Sequence, residues 1–253
     1  MAHSSAPSRI ALVTGASKGL GRAIAKKLAA EGHRVIANYF SSASEAEALV
    51  AEISAAGGQA LAVRADVRDP SQIATLLHAA QEHFGGTVEV VVNNATGPQP
   101  MKAIEDYAWT EFQDQLDFFV KAPVLIAQAM LPAMKAARWG RIINIGSEVV
   151  DLGNANFSAY VAAKGAMLGL TRAWATEFGP WGITVNLVSP GWIPVERHAD
   201  IPRASIDGYA AQLPLKRIGT PEEVADAVAF LAGEGAAFVT GQTLAVNGGN
   251  TFS

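Results

Sequence analysis

The feature that most constrains this chain is a repeated alternation. From Arg9 onward, short apolar runs rich in β-branched residues alternate with longer Ala-rich amphipathic stretches. The runs Ile10–Thr14, Arg34–Ala37, Ala60–Val63, Val88–Val92, Ile142–Ile145, Thr184–Val188 and Thr243–Val246 predict strands. The intervening segments 20–31, 43–56, 71–84, 109–137, 157–179 and 221–233 carry helical periodicity. Punctuation agrees: Gly57-Gly58 ends the second helix, Asp69-Pro70 opens the third, and Thr220-Pro221 with Glu223 opens the last. Strict β/α alternation implies a parallel sheet covered by helices on both faces. The chain is therefore expected to form one α/β domain over 9–253, a doubly wound parallel sheet of about seven strands, after a flexible tail over 1–8. The alternation breaks between Pro190 and Gly219, where Pro194, Pro202 and Pro214 interrupt any regular element. A long insertion after the carboxyl end of a strand is where such sheets bind ligands, so about 190–219 is read as a substrate lid.

Composition narrows the function. Half of the 253 residues are apolar and 17% are charged, which supplies a large core. The net charge is −4 without a basic run, which argues against a nucleic-acid partner. There is no cysteine, so disulfides, thiolate metal sites and cysteine nucleophiles are excluded together. The five histidines show no pair at metal-ligand spacing, and no metal is expected. The first residues are polar and no run of about 20 apolar residues occurs, so export and membrane spanning are disfavoured and a cytoplasmic location is expected.

Thr14-Gly-Ala-Ser-Lys-Gly-Leu-Gly21 joins the first strand to the first helix. Gly15, Gly19 and Gly21 allow close backbone approach to a pyrophosphate, and the free N–H groups and positive dipole end of the following helix attract it. A tight strand-to-helix turn also favours glycine, so position after the first strand carries the reading. The end of the second strand, where an NAD site usually places a carboxylate, reads Ala37-Asn38-Tyr39-Phe40-Ser41-Ser42. With no acid there, and with Lys18 in the turn, Asn38, Ser41 and Ser42 suit a 2′-phosphate. NADP(H) is the expected cofactor, with NAD(H) the alternative.

Tyr160 and Lys164 lie four apart in a helical segment and share a face. A phenol near pKa 10 is about 4 kcal/mol too weak an acid at neutral pH, and an ammonium about 4 Å away offers attraction of about that size. Ser147 follows the Ile142–Ile145 strand directly, which places its hydroxyl at the carboxyl edge of the sheet. Each piece alone has a plain structural reading, as a surface pair or a helix cap.

Taken together, Thr14-Gly-x-x-x-Gly-x-Gly21, Asp66-Val67, Asn93-Asn94-Ala95, Ser147, Tyr160-x-x-x-Lys164 and Pro190-Gly191 resemble the short-chain dehydrogenase/reductase family, in the family's order, from Arg9 to Gly249. The resemblance is to the 3-oxoacyl-(acyl-carrier-protein) reductase-like branch; a Tyr-x6-Lys spacing would instead resemble the enoyl reductases. It implies a Rossmann-type fold and hydride transfer between NADP(H) and a carbonyl or alcohol. It further implies Tyr160 as general acid/base, Ser147 polarising the carbonyl, and Lys164 lowering the Tyr160 pKa while holding the nicotinamide ribose. Gly15, Ser17, Lys18, Gly19, Leu20 and Gly21 would cradle the phosphates. Asp66 and Val67 would meet the adenine, and Asn93, Asn94, Ala95, Pro190, Gly191 and Ile193 would line the nicotinamide half. A homotetramer is implied as well, built through the two long helices and the last strand and drawing on Leu125, Met130, Met167, Leu170 and Trp174.

The chain departs from the family in two places. Thr96 follows the Asn-Asn-Ala triplet where glycine is usual, and Phe119 stands where the family has a helix-kink asparagine. Phe119 also fits the apolar spacing of Leu116, Val120 and Val124 as core packing. Pro123 cannot donate to the Phe119 carbonyl, so a preserved kink is expected, with that carbonyl free to hold a relay water near Lys164. The competing reading is a cofactor-binding regulatory or scaffold protein whose catalysis has decayed. The lid offers Trp192, Val195, Tyr209 and Leu213 as apolar surface, with Arg197 and Arg203 as its cations. Lys135, Arg138 and Arg141 are candidates for docking an acidic carrier, though the first two equally suit a helix carboxyl end.

Overall fold

A computed structural model of the protein describes residues 8–252, so all but Ser8 of the expected tail lies outside the described residues. Seven parallel strands form one sheet in the order β3-β2-β1-β4-β5-β6-β7. They are β1 Ile10–Val13, β2 Arg34–Tyr39, β3 Gln59–Arg64, β4 Val88–Asn93, β5 Gly140–Ile145, β6 Ile183–Pro190 and β7 Thr243–Val246. Central strands β1, β5 and β6 are buried along their whole length, as expected where helices cover both faces. Alternate residues feed two core layers. Ala11, Val13, Val35 and Ile143 face α1 (Gly19–Ala30) and α9 (Pro221–Ala232), through Ile24, Leu28, Val224 and Val228. Ile10, Leu12, Ile36 and Val91 face the other helical layer, through Leu76, Ile126, Met130 and Trp174.

Predicted helix ends agree with observed caps. In α2 (Ala43–Ala55) the chain turns away through Gly57, at φ 83°. α3 (Pro70–Phe84) is opened by Asp69, whose carboxylate accepts from the Ser71 N–H at 2.8 Å, and closed by left-handed Gly85. At α9, Thr220 and Glu223 exchange the two bonds of a capping box.

The helix expected over 109–137 is present and contains a π turn. α4 (Trp109–Leu116) passes through a π turn at Asp117–Lys121 into α5 (Ala122–Ala137), with the Ala122 N–H bonded to the Asp117 carbonyl. Pro123 has no N–H for the regular bond to Phe119, and the wider turn accommodates that loss. By length and composition 109–137 is apolar enough to span a bilayer. Its Phe119, Ala122, Ile126, Met130 and Met134 are nevertheless packed in the core, and the segment is a core helix of the α/β fold. A short α6 (Val149–Leu152) precedes α7 (Ser158–Phe178), which carries the Tyr160 and Lys164 pair. The lid contains a 3-10 turn at Glu196–His198 and an α-helix, α8 (Arg203–Gln212), where the sequence predicts neither. The helix has no fully buried residue, so it lacks the periodic apolar stripe that would announce it.

The five apolar residues expected at a subunit interface on α5 and α7 differ in exposure. Met130, Met167 and Trp174 are 3%, 1% and 8% exposed, filling the protomer's own core, and only Leu125 and Leu170 keep partial exposure. Near β7, by contrast, Phe238, Leu244 and Phe252 are exposed.

Candidate active site

The glycine turn is held by hydrogen bonds from neighbouring strand ends. Thr14 Oγ1 accepts the Asn94 and Ala95 N–H groups, each at 2.9 Å, and donates to the Val92 carbonyl. Asn94 Nδ2 donates to the carbonyls of Thr14 and Gly15 at 2.8 and 3.2 Å. Gly15 and Gly19 are left-handed, at φ 63° and 56°. A Cβ on Gly21 would stand 2.3 Å from the Gly15 carbonyl oxygen, so no larger residue fits there. Asn38 is buried; its Oδ1 accepts from the Gly15 N–H and its Nδ2 donates to the Ala65 carbonyl at 3.0 Å. Its side chain braces the turn from beneath.

These details fit a dinucleotide. The head of α1 already attracts an anion: the Gly19 N–H donates to the Glu196 carboxylate at 3.0 Å. Ser17 and Leu20 are partly exposed around the same turn, and Lys18 is exposed and paired with Glu45 at 2.7 Å. That pairing, with other hydrogen bonds, lowers the Glu45 carboxyl to about 2. Ser41 is exposed and Ser42 stands at the head of α2, making no side-chain cap bond. Asp66, at the end of β3, accepts from the Arg68 backbone N–H and from two guanidinium nitrogens, at 2.8–2.9 Å, and this pairing holds its carboxyl low. Val67 beside it is buried, so its side chain belongs to the core.

Ser147, Tyr160 and Lys164 converge at the carboxyl edge of β5. Lys164 Nζ is 4% exposed by residue and donates to the Ile145 carbonyl at 2.6 Å. Its ammonium lies over the Phe119 ring, 3.7 Å from the centroid, and 5.5 Å from the Tyr160 ring centroid. Burial, seconded by the charge of Arg197, lowers Lys164 to about 7. Tyr160 is stacked on Phe157 and meets Phe119 edge-on, at 4.6 and 5.4 Å. Burial raises its phenol, while the neighbouring Ser147 side chain and the Arg197 charge draw it back. The expected lowering by Lys164 is therefore not what dominates: an ammonium that titrates near 7 carries only part of a charge at neutral pH. A π turn stands where the kink is expected, and it is the Phe119 ring that meets the lysine. Asn93 lies beneath the site, donating to Asn144 Oδ1 at 2.8 Å, while Asn144 donates to Thr171.

Beyond β6, Pro190 and Gly191 turn the chain into the lid. Ile193 is buried, and Trp192 packs edge-on against Tyr209. Glu196 accepts the Gly19 N–H and a Cβ on Gly19 would meet Val195 at 3.4 Å, so one lid turn covers the glycine loop while its Arg197 acts on Tyr160 and Lys164. Sequence reasoning marked Arg197 only as a lid cation, and it missed Glu196, because neither contact has a local signal. Ser147 and Lys164 line a cavity of about 230 Å³. A larger one of about 420 Å³ lies behind the lid, walled by Trp192, Tyr209, Leu213 and Asn247. Of the proposed carrier-docking cations, Arg141 is 2% exposed, stacked on Trp139 and near Glu234, and is corrected to a core residue. Lys135 and Arg138 flank Trp181.

Comparison with known proteins places this geometry. A family model described as enoyl-(acyl carrier protein) reductase matches residues 15–251. The 3-oxoacyl-(acyl-carrier-protein) reductase FabG of Pseudomonas aeruginosa is 42% identical over 243 residues, covering 95% of this chain and 96% of that protein. Its Escherichia coli namesake is 40% identical over 247 residues, covering 95% and 96%. Among solved structures, a putative gluconate dehydrogenase from Agrobacterium tumefaciens superposes with a TM-score of 0.89 at 34% identity, covering 96% of this chain and 95% of that one. A blue fluorescent protein from a metagenomic library, in complex with NADPH, superposes at 0.87 and 37% identity, covering 96% and 98%.

Proposed function

The chain belongs to the short-chain dehydrogenase/reductase family, and from that premise we propose that it is an NADP(H)-dependent oxidoreductase interconverting a small-molecule carbonyl and alcohol, with Tyr160 as the acid/base. One observation carries this reading: buried Tyr160 and Lys164 share the sheet edge with Ser147, next to a turn whose Gly21 tolerates no Cβ. The four-residue Tyr160 to Lys164 spacing and the curated relatives favour a carbonyl over an enoyl substrate.

NADPH, when bound, supplies the hydride. The turn from Gly15 to Gly21 would hold its phosphates, with Ser17 and Leu20 alongside; Lys18, Ser41 and Ser42 would meet the 2′-phosphate, and Asp66 and Val67 the adenine side. Asn94 and Ala95, with Pro190, Gly191 and Ile193, would bound the nicotinamide half. Ser147 donates a hydrogen bond to the substrate oxygen and orients it towards Tyr160. Tyr160 delivers the proton, and its raised pKa keeps it protonated at neutral pH, the form that reduction requires. Lys164 holds its own proton close to balance near pH 7 and is fixed between Ile145 and Phe119. The segment 190–219 acts as the substrate lid. The domain works in the cytoplasm as a homotetramer whose contacts include the exposed apolar surface near β7. Light scattering that returns a monomer at micromolar concentration would refute that assembly.

Phe119 favours a second reading, a cofactor-binding protein with decayed catalysis, and one experiment separates the two. A panel of carbonyls, led by a 3-oxoacyl thioester, is followed by NADPH oxidation for wild type and Tyr160→Phe. Turnover by wild type that falls ~10²–10⁴-fold in Tyr160→Phe, with NADPH affinity kept, is expected for the enzyme. NADPH binding without turnover on any member supports the decayed reading.

A further inference from the structure

Glu148 follows Ser147 directly and is 4% exposed, an unusual place for a carboxylate that forms no ion pair among the described residues. Both oxygens are nevertheless satisfied. Oε1 accepts from the Tyr209 hydroxyl at 2.6 Å, and Oε2 accepts from Asn250 Nδ2 at 3.1 Å. The Tyr209 hydroxyl in turn accepts the Trp192 backbone N–H at 3.0 Å. The Glu148 N–H donates to the Pro190 carbonyl, and the Gly191 N–H to that of Val246. A Cβ on Gly191 would lie 2.9 Å from the Tyr209 oxygen, so the glycine makes room for this phenol.

Four separate segments meet around Glu148: its own loop after Ser147, the Pro190 turn on its backbone N–H, and lid helix α8 and the C-terminal segment on its carboxylate. α8 buries no residue fully, so apolar packing alone holds it weakly. Apart from its ring packing against Trp192, the phenol of Tyr209 is the polar tie of α8 to the sheet edge. A hydrogen bond to a carboxylate shielded from water is among the stronger neutral-to-charged contacts. We propose that Glu148 is a positioning residue for substrate binding, the latch that docks lid helix α8 through Tyr209 and the C-terminal segment through Asn250 beside Ser147. Glu148 does not touch the reacting atoms; it sets how long the lid stays closed over them.

The inference rests on the carbonyl-reductase reading for its kinetic arm but not for its structural one. Tyr209→Phe removes one hydroxyl and keeps the ring. In the NADPH-loaded protein, amide hydrogen exchange over 203–212 is expected to quicken about tenfold to hundredfold, while exchange in β5 and β6 stays as in wild type. With a carbonyl substrate, KM should rise about tenfold while kcat changes less than threefold. Glu148→Ala should do the same, and Tyr209→Phe added to Glu148→Ala should cost much less than it does in wild type, because the two share one bond and only the Trp192 N–H contact remains to be lost. Unchanged exchange over α8 in Tyr209→Phe overturns the latch, as does a loss confined to kcat, or effects of the two substitutions that multiply. If wild type reduces no carbonyl, the proposed function fails while the exchange result still decides the latch. If Glu148→Ala does not fold, Tyr209→Phe alone decides it.

Discussion

Replacing Phe119 with leucine tests how the site works without the family asparagine. The wild-type ring lies 3.7 Å from the Lys164 nitrogen in a desolvated site, a geometry worth about 2 kcal/mol to the ammonium and nothing comparable to the neutral amine. Removing it should lower the Lys164 pKa from about 7 by ~1.5, because 1.36 kcal/mol corresponds to one pH unit. Phe119 is 1% exposed, so truncation also leaves a gap that costs about 1–2 kcal/mol at every pH. The two contributions separate by pH. Lys164 is charged in folded wild type below about 7 and in the unfolded chain below about 10.5, so its own effect makes wild-type stability rise with pH between those values. Below about pH 5.5 both folded proteins carry the ammonium and the variant lacks its ring partner, giving a deficit of about 3–4 kcal/mol. Above about pH 7.5 both hold the neutral amine, and the deficit shrinks to about 1–2 kcal/mol, roughly 3–6 °C in Tm for a chain of this size. Urea unfolding of both proteins at half-unit steps from pH 5 to 9 measures the difference. A deficit that does not change with pH would refute the ring–ammonium contact, whatever its size.

Two further outcomes are expected. Lys18→Ala should narrow the gap between NADPH and NADH affinity measured by titration, and equal affinities in wild type would remove the basis for the cofactor preference. Gly21→Ala should abolish binding of either cofactor or prevent folding, since its Cβ would stand 2.3 Å from the Gly15 carbonyl oxygen, and a soluble variant that binds NADPH as wild type does would contradict that packing.

The local period of the chain determined the layers by itself. β-branched runs separated by amphipathic stretches produce a parallel sheet in any context that can bury both faces, and all seven predicted strands are present with ends shifted by a few residues. The glycine turn was equally legible, because left-handed φ and close backbone approach exclude other residues. Tyr160 and Lys164 were legible as a helical pair, and their position beside Ser147 from the order of the strands. Pro123 announced the π turn at Phe119 by lacking an N–H. Only the tertiary structure decided what each group meets. That Lys164 lies on the Phe119 ring, that Asn38 braces the turn from below, that Arg141 and Met130 are core, and that Glu196 reaches the head of α1 all depend on residues tens of positions apart. The Glu148–Tyr209–Asn250 junction is the extreme case, spanning 61 and 102 positions of sequence. Periodicity records which face of an element is dry. It carries no information about which distant side chain completes a buried polar group, and that pairing is settled only when the layers close.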